Sequence, residues 1–139
     1  MEMEMSREDL WKLVEELGGE ILKATGSDPK QIVKSLLFIS EEGPVLVIVD
    51  GESRVDINKL AKIFGKIRLA TPEEVRRITG FEVGSVPPVG INVRTLVDRR
   101  VLENRFVVGG GGRTDMLSRL DPRKIVEYQN AEVVDIRRD

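Results

Sequence analysis

The chain has 139 residues, of which 40% are hydrophobic and 33% are charged, so it is long enough to bury the core of one domain. It contains no histidine and no cysteine. Disulfides, thiol nucleophiles, Ser-His and Cys-His dyads, and zinc sites made from these side chains are therefore excluded. The acidic residues form no spaced D-x-D loop, so a metal site is not expected. Any catalysis would rest on lysine, carboxylates, hydroxyls, backbone amides or the substrate itself.

The net charge of −2 is unevenly distributed along the chain. Residues 1–53 carry 12 acidic and 5 basic side chains, a balance of −7, whereas residues 54–139 carry 12 acidic and 17 basic ones, a balance of +5. The later part can present a nucleic-acid-binding face, and ordinary solvated surface charge is the alternative. No apolar run reaches the length of a membrane span and the N-terminus lacks a signal-peptide pattern, so a cytoplasmic protein with no membrane partner is expected.

The first part of the chain predicts one helix and two strands. Ser6 can cap the helix with Asp9 as its capping-box partner, and apolar residues at helical spacing continue as far as Ile21. The Gly18-Gly19 pair should end or fray this helix. The two strands are the apolar runs IVKSLLFI and VLVIV, at residues 32–39 and 45–49.

The second part of the chain alternates short helices with short strands. Each helix is predicted from a capping side chain at its start, and two of them also have proline at the first helical position. The caps are Asp56 or Asn58 for VDINKLAKIFG, Thr71 with Glu74 for TPEEVRRITG, and Asp121 for DPRKIVEY. The strands are predicted at residues 67–70, 93–98, 105–109, 116–120 and 132–136.

This succession of elements, without a repeat or a linker, predicts a single α+β domain over residues 1–139. The expected architecture is a mixed, curved, barrel-like β-sheet surrounded by short helices. Residues 1–30 are expected to form a helical N-terminal segment of that domain.

Lys34 lies inside the apolar strand IVKSLLFI, where a charged side chain requires an explanation. It either lines a cavity or extends outward from an edge strand, where lysine discourages aggregation. Ser35 is its neighbour, but successive side chains of a strand point to opposite faces, so a Lys-Ser dyad is not expected.

Two loops rich in glycine or proline interrupt the ordinary pattern. FEVGSVPPVG, residues 81–90, combines prolines that fix φ with glycines that allow close approach, so it is either a tight crossover or a rigid wall for a small ligand. VVGGGGR, residues 107–113, can expose backbone N–H groups that bind a phosphate or an oxyanion, or it is a flexible turn. It is not a P-loop, because no Gly-Lys-Ser/Thr follows.

The order of these features resembles one protein family. A strand lysine in IVKSLLF is followed by VDINKLAKIFG, by LATPEEVRRITGFEVGSVPPVG, and by VVGGGG before a closing helix and strand. This arrangement resembles the YbaK and prolyl-tRNA synthetase-associated editing domains, also called INS-type domains, over residues 31–136. Many relatives have a strand and a helix before the lysine strand, so residues 1–30 are interpreted as a variant N-terminal segment.

The resemblance implies an enzyme that hydrolyses amino acids wrongly attached to tRNA, either in trans or as an inserted synthetase domain. The implied mechanism uses no protein nucleophile and no cofactor, because water attacks the ester with help from a ribose hydroxyl of the terminal adenosine. Matching the family's lysine, G-x-x-x-P loop, acidic position and glycine turn predicts the site residues. They are Lys34, Gly110 and Gly111 as catalytic residues, and Gly84, Val86, Pro88, Gly90, Asp98, Gly109 and Gly112 as substrate-binding residues.

A trans-acting deacylase for a small mischarged residue (alanine, cysteine or serine) is therefore the leading hypothesis. Its partners would be the acceptor end of a charged tRNA and an aminoacyl-tRNA synthetase. One alternative is a non-catalytic module that keeps the fold and docks to tRNA or to a synthetase. Another is a hydrolase that acts on a free small ester.

Overall fold

The computed structural model describes residues 5–24 and 31–139. These residues form four α-helices, one 3-10 turn and eight strands in the following order. The elements are α1 (Arg7–Glu16), β1 (Glu20–Lys23), β2 (Val33–Ser40), β3 (Gly43–Asp50), α2 (Ile57–Phe64), β4 (Ile67–Leu69), α3 (Pro72–Thr79), β5 (Arg94–Asp98), the 3-10 turn (Arg99–Glu103), β6 (Val107–Gly110), β7 (Met116–Leu120), α4 (Pro122–Gln129) and β8 (Glu132–Val134).

Each α-helix begins at the side chain that the sequence predicts as its cap. Ser6, Asp56, Thr71 and Asp121 each accept a hydrogen bond from a backbone N–H of the first helical turn. Thr71 also forms the complete capping box with Glu74, which satisfies two helix-end donors at once. Within the described ranges, no helix is both long and apolar enough to cross a membrane.

The strands form two sheets rather than one. β1, β7 and β6 make an antiparallel three-stranded sheet, and the five-stranded sheet has the order β4-β2-β3-β5-β8. The larger sheet is mixed, because β2 is antiparallel to both neighbours whereas β3-β5 and β5-β8 are parallel. A single parallel bridge between Ile32 and Val108 joins the two sheets. The α+β class and the mixed sheet are confirmed, but the sheet does not close into a barrel.

The chain after α1 departs from the sequence prediction. Helical spacing assigned Ile21 to the first helix, but Ile21 lies in β1 and pairs with Ser118 of β7. Gly18 adopts φ +81, which ends the helix. A side chain on Gly19 would collide with the Arg119 carbonyl and with Leu120, so the close approach of β1 to β7 requires glycine there. Part of the predicted N-terminal segment, residues 25–30, lies outside the described residues.

The five-stranded sheet is covered on both faces by apolar side chains. On β3, Leu46 and Ile48 belong to one core cluster with α1 and α3, whereas Val47 and Val49 belong to a second cluster with α2. This alternation assigns each residue of the paired strand β2 to one face or the other.

Candidate active site

A cavity of about 340 Å³ lies where the two sheets meet. It is bounded by β2, by the end of β6, by β4 with the start of α3, and by the loop of residues 81–90. Its volume is within the range of pockets that bind small molecules. The wall is mostly apolar. The residues that line it include Val33, Lys34, Ser35, Leu37, Ala70, Val75, Gly84, Val86, Gly109 and Gly110.

One edge of β2 faces this cavity with its backbone groups. β4 pairs with β2 only at residues 38–40, and the bridge to β6 lies at Ile32. The Ala70 N–H donates to the Leu37 carbonyl at 2.9 Å, so Leu37 and, by alternation, Ser35 direct their backbone groups to this edge. Between these two attachments, no described strand pairs with the edge, and its polar groups are available to a ligand.

Ser35 is the polar side chain on the cavity-facing side of β2. It lies opposite Ile48, which belongs to the core cluster that contains Val33 and Leu37. The Ser35 hydroxyl is buried and has no hydrogen-bond partner within the described part of the chain. A buried hydroxyl without a partner is costly, because it has lost water and gained nothing in exchange. This group is the clearest position for a hydrogen bond to a bound ligand.

Ser35 was not predicted as a site residue, although its side chain was expected on the opposite face of the strand from that of Lys34. The strand pattern does contain a signal for a polar site at Ser35. Val33, Ser35 and Leu37 share one face of an apolar strand, so Ser35 interrupts an otherwise apolar buried row.

Lys34 contributes to the cavity wall, but its side chain belongs to the other face of β2. It lies opposite Val49, a residue of the second core cluster. Its ammonium donates a hydrogen bond to the Ser53 carbonyl in the loop after β3. Because an ammonium has three donors, two of them remain without an acceptor among the described residues.

The loop that holds Lys34 is itself anchored. The Ser53 hydroxyl donates to the Asp50 carboxylate at 2.8 Å, and the Arg137 guanidinium donates to Asp50 at 3.4 Å and to the Ser53 hydroxyl at 3.3 Å. Asp50 is only 9% exposed, so these contacts are shielded from water. The arrangement fixes the carbonyl that orients the Lys34 ammonium.

The loop of residues 81–90 forms part of the cavity wall. Gly84 and Val86 line the cavity, and Gly84 adopts φ +89. In the middle of the loop, the Ser85 carbonyl accepts a hydrogen bond from the Gly112 N–H at 3.0 Å. At the C-terminal end of the loop, Gln129 accepts from the Gly90 N–H at 2.8 Å and donates to the Ile91 carbonyl at 2.7 Å. The loop is therefore tied to other elements at its middle and at its C-terminal end.

Two loop residues predicted to bind substrate have other surroundings. Pro88 packs against Gly109, where an added Cβ would be 3.0 Å from the proline ring. Gly90 adopts φ +84, and a side chain there would collide with Met5 of the segment before α1. Pro88 and Gly90 are not among the described residues that line the cavity, and they pack against Gly109 and Met5 instead.

The glycine run is divided between the end of a strand and the segment that follows it. Gly109 and Gly110 end β6, pair with β7 and line the cavity. The Val108 N–H donates to the Gln31 carbonyl, so alternation directs the Gly110 N–H to the same side, toward β2. The Gly111 carbonyl accepts from the Trp11 indole at 2.9 Å, and the Gly112 N–H is bonded to Ser85, so these two glycines serve the packing.

Glycine is required in this run because of contacts with backbone. A Cβ on Gly110 would collide with the Val86 carbonyl, and a Cβ on Gly111 would lie 2.6 Å from the backbone of Met116. Real Cβ atoms do not approach backbone so closely. The glycines thus let β6 pack against the cavity loop and against β7.

Asp98 does not reach the cavity and is completely buried at the end of β5. Its carboxylate accepts hydrogen bonds from the Ile136 N–H at 3.0 Å, the Arg137 N–H at 3.2 Å and the Arg100 guanidinium at 3.0 Å. Burial opposes ionisation of Asp98, but the Arg100 and backbone hydrogen bonds outweigh it and hold its pKa below the ordinary value. Its contacts join β5 to the C-terminal segment.

The fold encloses a cavity of small-molecule size, and the chain has no histidine or cysteine for chemistry. A family model for the aminoacyl-tRNA editing domain matches residues 16–128. Because this match spans most of the chain, the chain belongs to the aminoacyl-tRNA editing domain family. The resemblance predicted from the sequence is confirmed.

Proline–tRNA ligases are among the similar proteins. The enzyme of Thermotoga neapolitana is 39% identical over 95 residues, covering 66% of this chain and 16% of the ligase. That of Desulforamulus reducens is 30% identical over 122 residues, covering 85% of this chain and 21% of the ligase. The chain therefore spans about a sixth to a fifth of the length of these curated relatives.

Solved structures of similar size share the whole fold. One, a candidate trans-editing enzyme for prolyl-tRNA synthetase, has a TM-score of 0.86 and 31% identity and covers 99% of this chain and 100% of its own. Another, the hypothetical protein APE2540, has a TM-score of 0.83 and 31% identity and covers 96% of this chain and 100% of its own. Because the first alignment covers nearly all of this chain, it includes the α1–β1 segment.

Proposed function

We propose that the protein is a trans-acting deacylase that hydrolyses the ester between a small mischarged amino acid and tRNA. The observation that carries the proposal is the cavity, in which the unpartnered Ser35 hydroxyl and an unpaired strand edge face an apolar wall. Membership of the aminoacyl-tRNA editing family supports an aminoacyl-tRNA ester as the ligand of this cavity.

Each cavity group has a role in this proposal. The Ser35 hydroxyl and the β2 edge bind the amino and carbonyl groups of the aminoacyl ester. The Gly110 N–H, directed toward β2, stabilises the negative charge that develops on the ester oxygen, and one such donor is typically worth about 10²–10³ in rate. Lys34, which contributes to the cavity wall, binds the phosphate of the terminal nucleotide with the two N–H groups that have no acceptor among the described residues.

The reaction itself uses a group of the substrate. Water attacks the carbonyl carbon and gives its proton to the neighbouring ribose hydroxyl, which passes its own proton to the esterified ribose oxygen as the bond between that oxygen and the carbonyl carbon breaks. The products are the free amino acid and tRNA with a free terminal hydroxyl. General-base assistance of this kind is worth about 10²–10⁴ in rate, and it requires no histidine.

The apolar wall supports a small amino acid as substrate. Val33, Val75 and Val86 restrict the space from three different elements, and the hydrogen bonds at Ser85 and Gly90 hold the 81–90 loop in place. An apolar wall discriminates one methylene by about 1–3 kcal/mol. Size selection among alanine, serine and cysteine follows from this wall rather than from a charge.

The experiment that tests the proposal is deacylation of a panel of mischarged tRNAs, with free amino-acid methyl esters assayed in parallel. The proposal predicts hydrolysis of alanyl-, seryl- or cysteinyl-tRNA and little hydrolysis of the matching methyl ester. Tight tRNA binding without hydrolysis would instead support a docking module. Equal hydrolysis of both substrates would support a hydrolase of free esters.

A further inference from the structure

The outer face of the three-stranded sheet carries a cluster of two arginines and one phenylalanine. The Arg119 guanidinium lies 4.5 Å from the centre of the Phe106 ring, and the Arg105 guanidinium lies 5.7 Å from it. We call Arg105, Phe106 and Arg119 the Phe106 patch. Arg105 is exposed, and the other two residues are partly exposed.

The Phe106 patch is continuous with the rim of the cavity. Arg119 lies directly opposite Val108 in the β6–β7 pair, and Val108 lines the cavity. Leu117 precedes Arg119 by two residues and also lines the cavity, so both side chains share one face of β7. Two residues of an antiparallel strand span about 7 Å. A chain leaving the cavity across this face would meet Arg119 first.

The positive charge of the patch is not neutralised by an ion pair. Elsewhere in the chain, Arg68, Arg94 and Arg113 each pair with a carboxylate within 3.0 Å. Among the described residues, by contrast, neither the Arg105 nor the Arg119 guanidinium has a carboxylate within ion-pair distance. Glu20 lies across the strand pair from Arg119 without forming such a pair. The guanidinium groups are therefore free to bind an external anion.

We propose that the Phe106 patch binds the single-stranded nucleotides that precede the aminoacylated end of tRNA. This inference rests on the proposed function, because the cavity would hold the terminal aminoacyl group. Arginine pairs with phosphate through two parallel hydrogen bonds, and unpaired bases stack on aromatic rings and guanidinium planes. A patch that offers both groups beside a cavity for the chain end fits a single-stranded polyanion.

The test compares binding and catalysis in matched variants of the full chain. Arg105→Gln with Arg119→Gln removes both charges, and Phe106→Leu removes the ring while keeping an apolar side chain. Binding of a fluorescent single-stranded oligonucleotide with the tRNA 3′-end sequence should weaken by about tenfold or more in each variant. The slope of log Kd against log salt should become shallower in the arginine variant only.

Catalytic assays separate this inference from the proposed function. With charged tRNA, the arginine variant should raise KM by about tenfold with kcat unchanged, whereas aminoacyl-adenosine should be hydrolysed at the wild-type rate. If the wild-type protein hydrolyses neither substrate, the proposed function fails, and oligonucleotide binding still tests the patch. Unchanged oligonucleotide binding in the arginine variant would overturn the inference.

A control variant removes the same charge from another surface. Lys62→Gln with Arg138→Gln neutralises two exposed side chains, one on α2 and one in the C-terminal segment, and should leave oligonucleotide binding close to wild type. An equal loss in this control would show a general charge effect and would also overturn the inference. If the variant that carries both Arg105→Gln and Arg119→Gln unfolds, Arg105→Gln alone, at an exposed position before β6, allows the same comparison of oligonucleotide binding with the control.

Discussion

Ser35 carries a hydroxyl that is buried and has no hydrogen-bond partner among the described residues. Replacing this hydroxyl with the hydrogen atom of an alanine side chain removes an unsatisfied polar atom without creating a large void, so it should not destabilise the fold. The same replacement should remove a hydrogen bond to the substrate. Stability and activity are therefore expected to change independently at this residue.

Ser35→Ala should lower kcat/KM for the preferred charged tRNA by about tenfold, corresponding to the loss of one hydrogen bond. Its melting temperature should equal or exceed that of the wild type. Ser40→Ala is the matched control, because Ser40 lies in the same strand and its hydroxyl donates to the Gly43 carbonyl at 2.9 Å. The control should melt at a lower temperature and retain its activity. A destabilised Ser35→Ala variant with unchanged activity would contradict the assignment.

Lys34→Ala should lose most of the deacylation rate while the fold remains intact. The expected loss is at least tenfold, because the ammonium is assigned to a substrate phosphate, whereas its contact within the protein is one hydrogen bond to the Ser53 carbonyl. Steady-state kinetics and thermal unfolding measure the two effects. Lys62→Ala, an exposed lysine on α2, is the control. A rate for Lys34→Ala near that of the control would remove Lys34 from the site.

At the scale of elements, the glycine run and the cavity loop depend on each other. The run was predicted to be either a turn of exposed N–H groups or a flexible turn. In the structure, Gly110 lies against the Val86 carbonyl. The run is therefore a packing surface as well as a source of one directed N–H.

Gly110→Ala should accordingly lower the melting temperature strongly, because its Cβ would meet backbone that cannot move without displacing the loop. Gly84→Ala provides the comparison, since a Cβ there meets nothing within 4 Å and only the φ of +89 is unfavourable. That strain costs about 1–2 kcal/mol. Thermal unfolding of the two variants should place Gly110→Ala well below Gly84→Ala. The reverse order would show that β6 and the loop are not packed as described.

Val86→Ile should narrow the cavity and reduce activity most for the largest of the three candidate amino acids. Val86 lines the wall and follows the fixed Ser85 carbonyl, so the added methyl group has to occupy ligand space. Val89→Ile is the control, because Val89 is completely buried in the core outside the cavity. Rates on alanyl-, seryl- and cysteinyl-tRNA should diverge for the first variant and change in parallel for the second. Parallel losses in both variants would mean that the loop supports the fold without selecting the substrate.

For the whole molecule, local patterns predicted the elements better than their assembly. Capping side chains such as Thr71 and Asp121 located the helices, because a cap acts within a few residues of the chain. β1 was missed, because its four residues continue the helical spacing of α1 and become a strand only by pairing with β7. The division into two sheets likewise depends on long-range pairing.

The candidate site was predicted in part for the same reason. Family motifs identified Gly84, Val86 and Gly110, and all three line the cavity. The face of a strand that becomes buried depends on the neighbouring elements. Motifs alone therefore could not predict that the side chain of Ser35, rather than that of Lys34, lies on the cavity-facing side of β2. Asp98 matched an acidic position in the motif, but its carboxylate satisfies the backbone at the C-terminal segment.

We propose that the cavity hydrolyses an aminoacyl-tRNA ester with a hydroxyl of the substrate as the base. The single-turnover deacylation rate tests this mechanism directly, when it is measured on tRNA charged with alanine, serine or cysteine and the free hydroxyl of the terminal ribose is either present or removed. We expect rapid hydrolysis of at least one natural substrate and a rate about 10²–10⁴ lower for its deoxy form. Equal rates for the two forms, or no hydrolysis of any charged tRNA, would contradict the proposed mechanism.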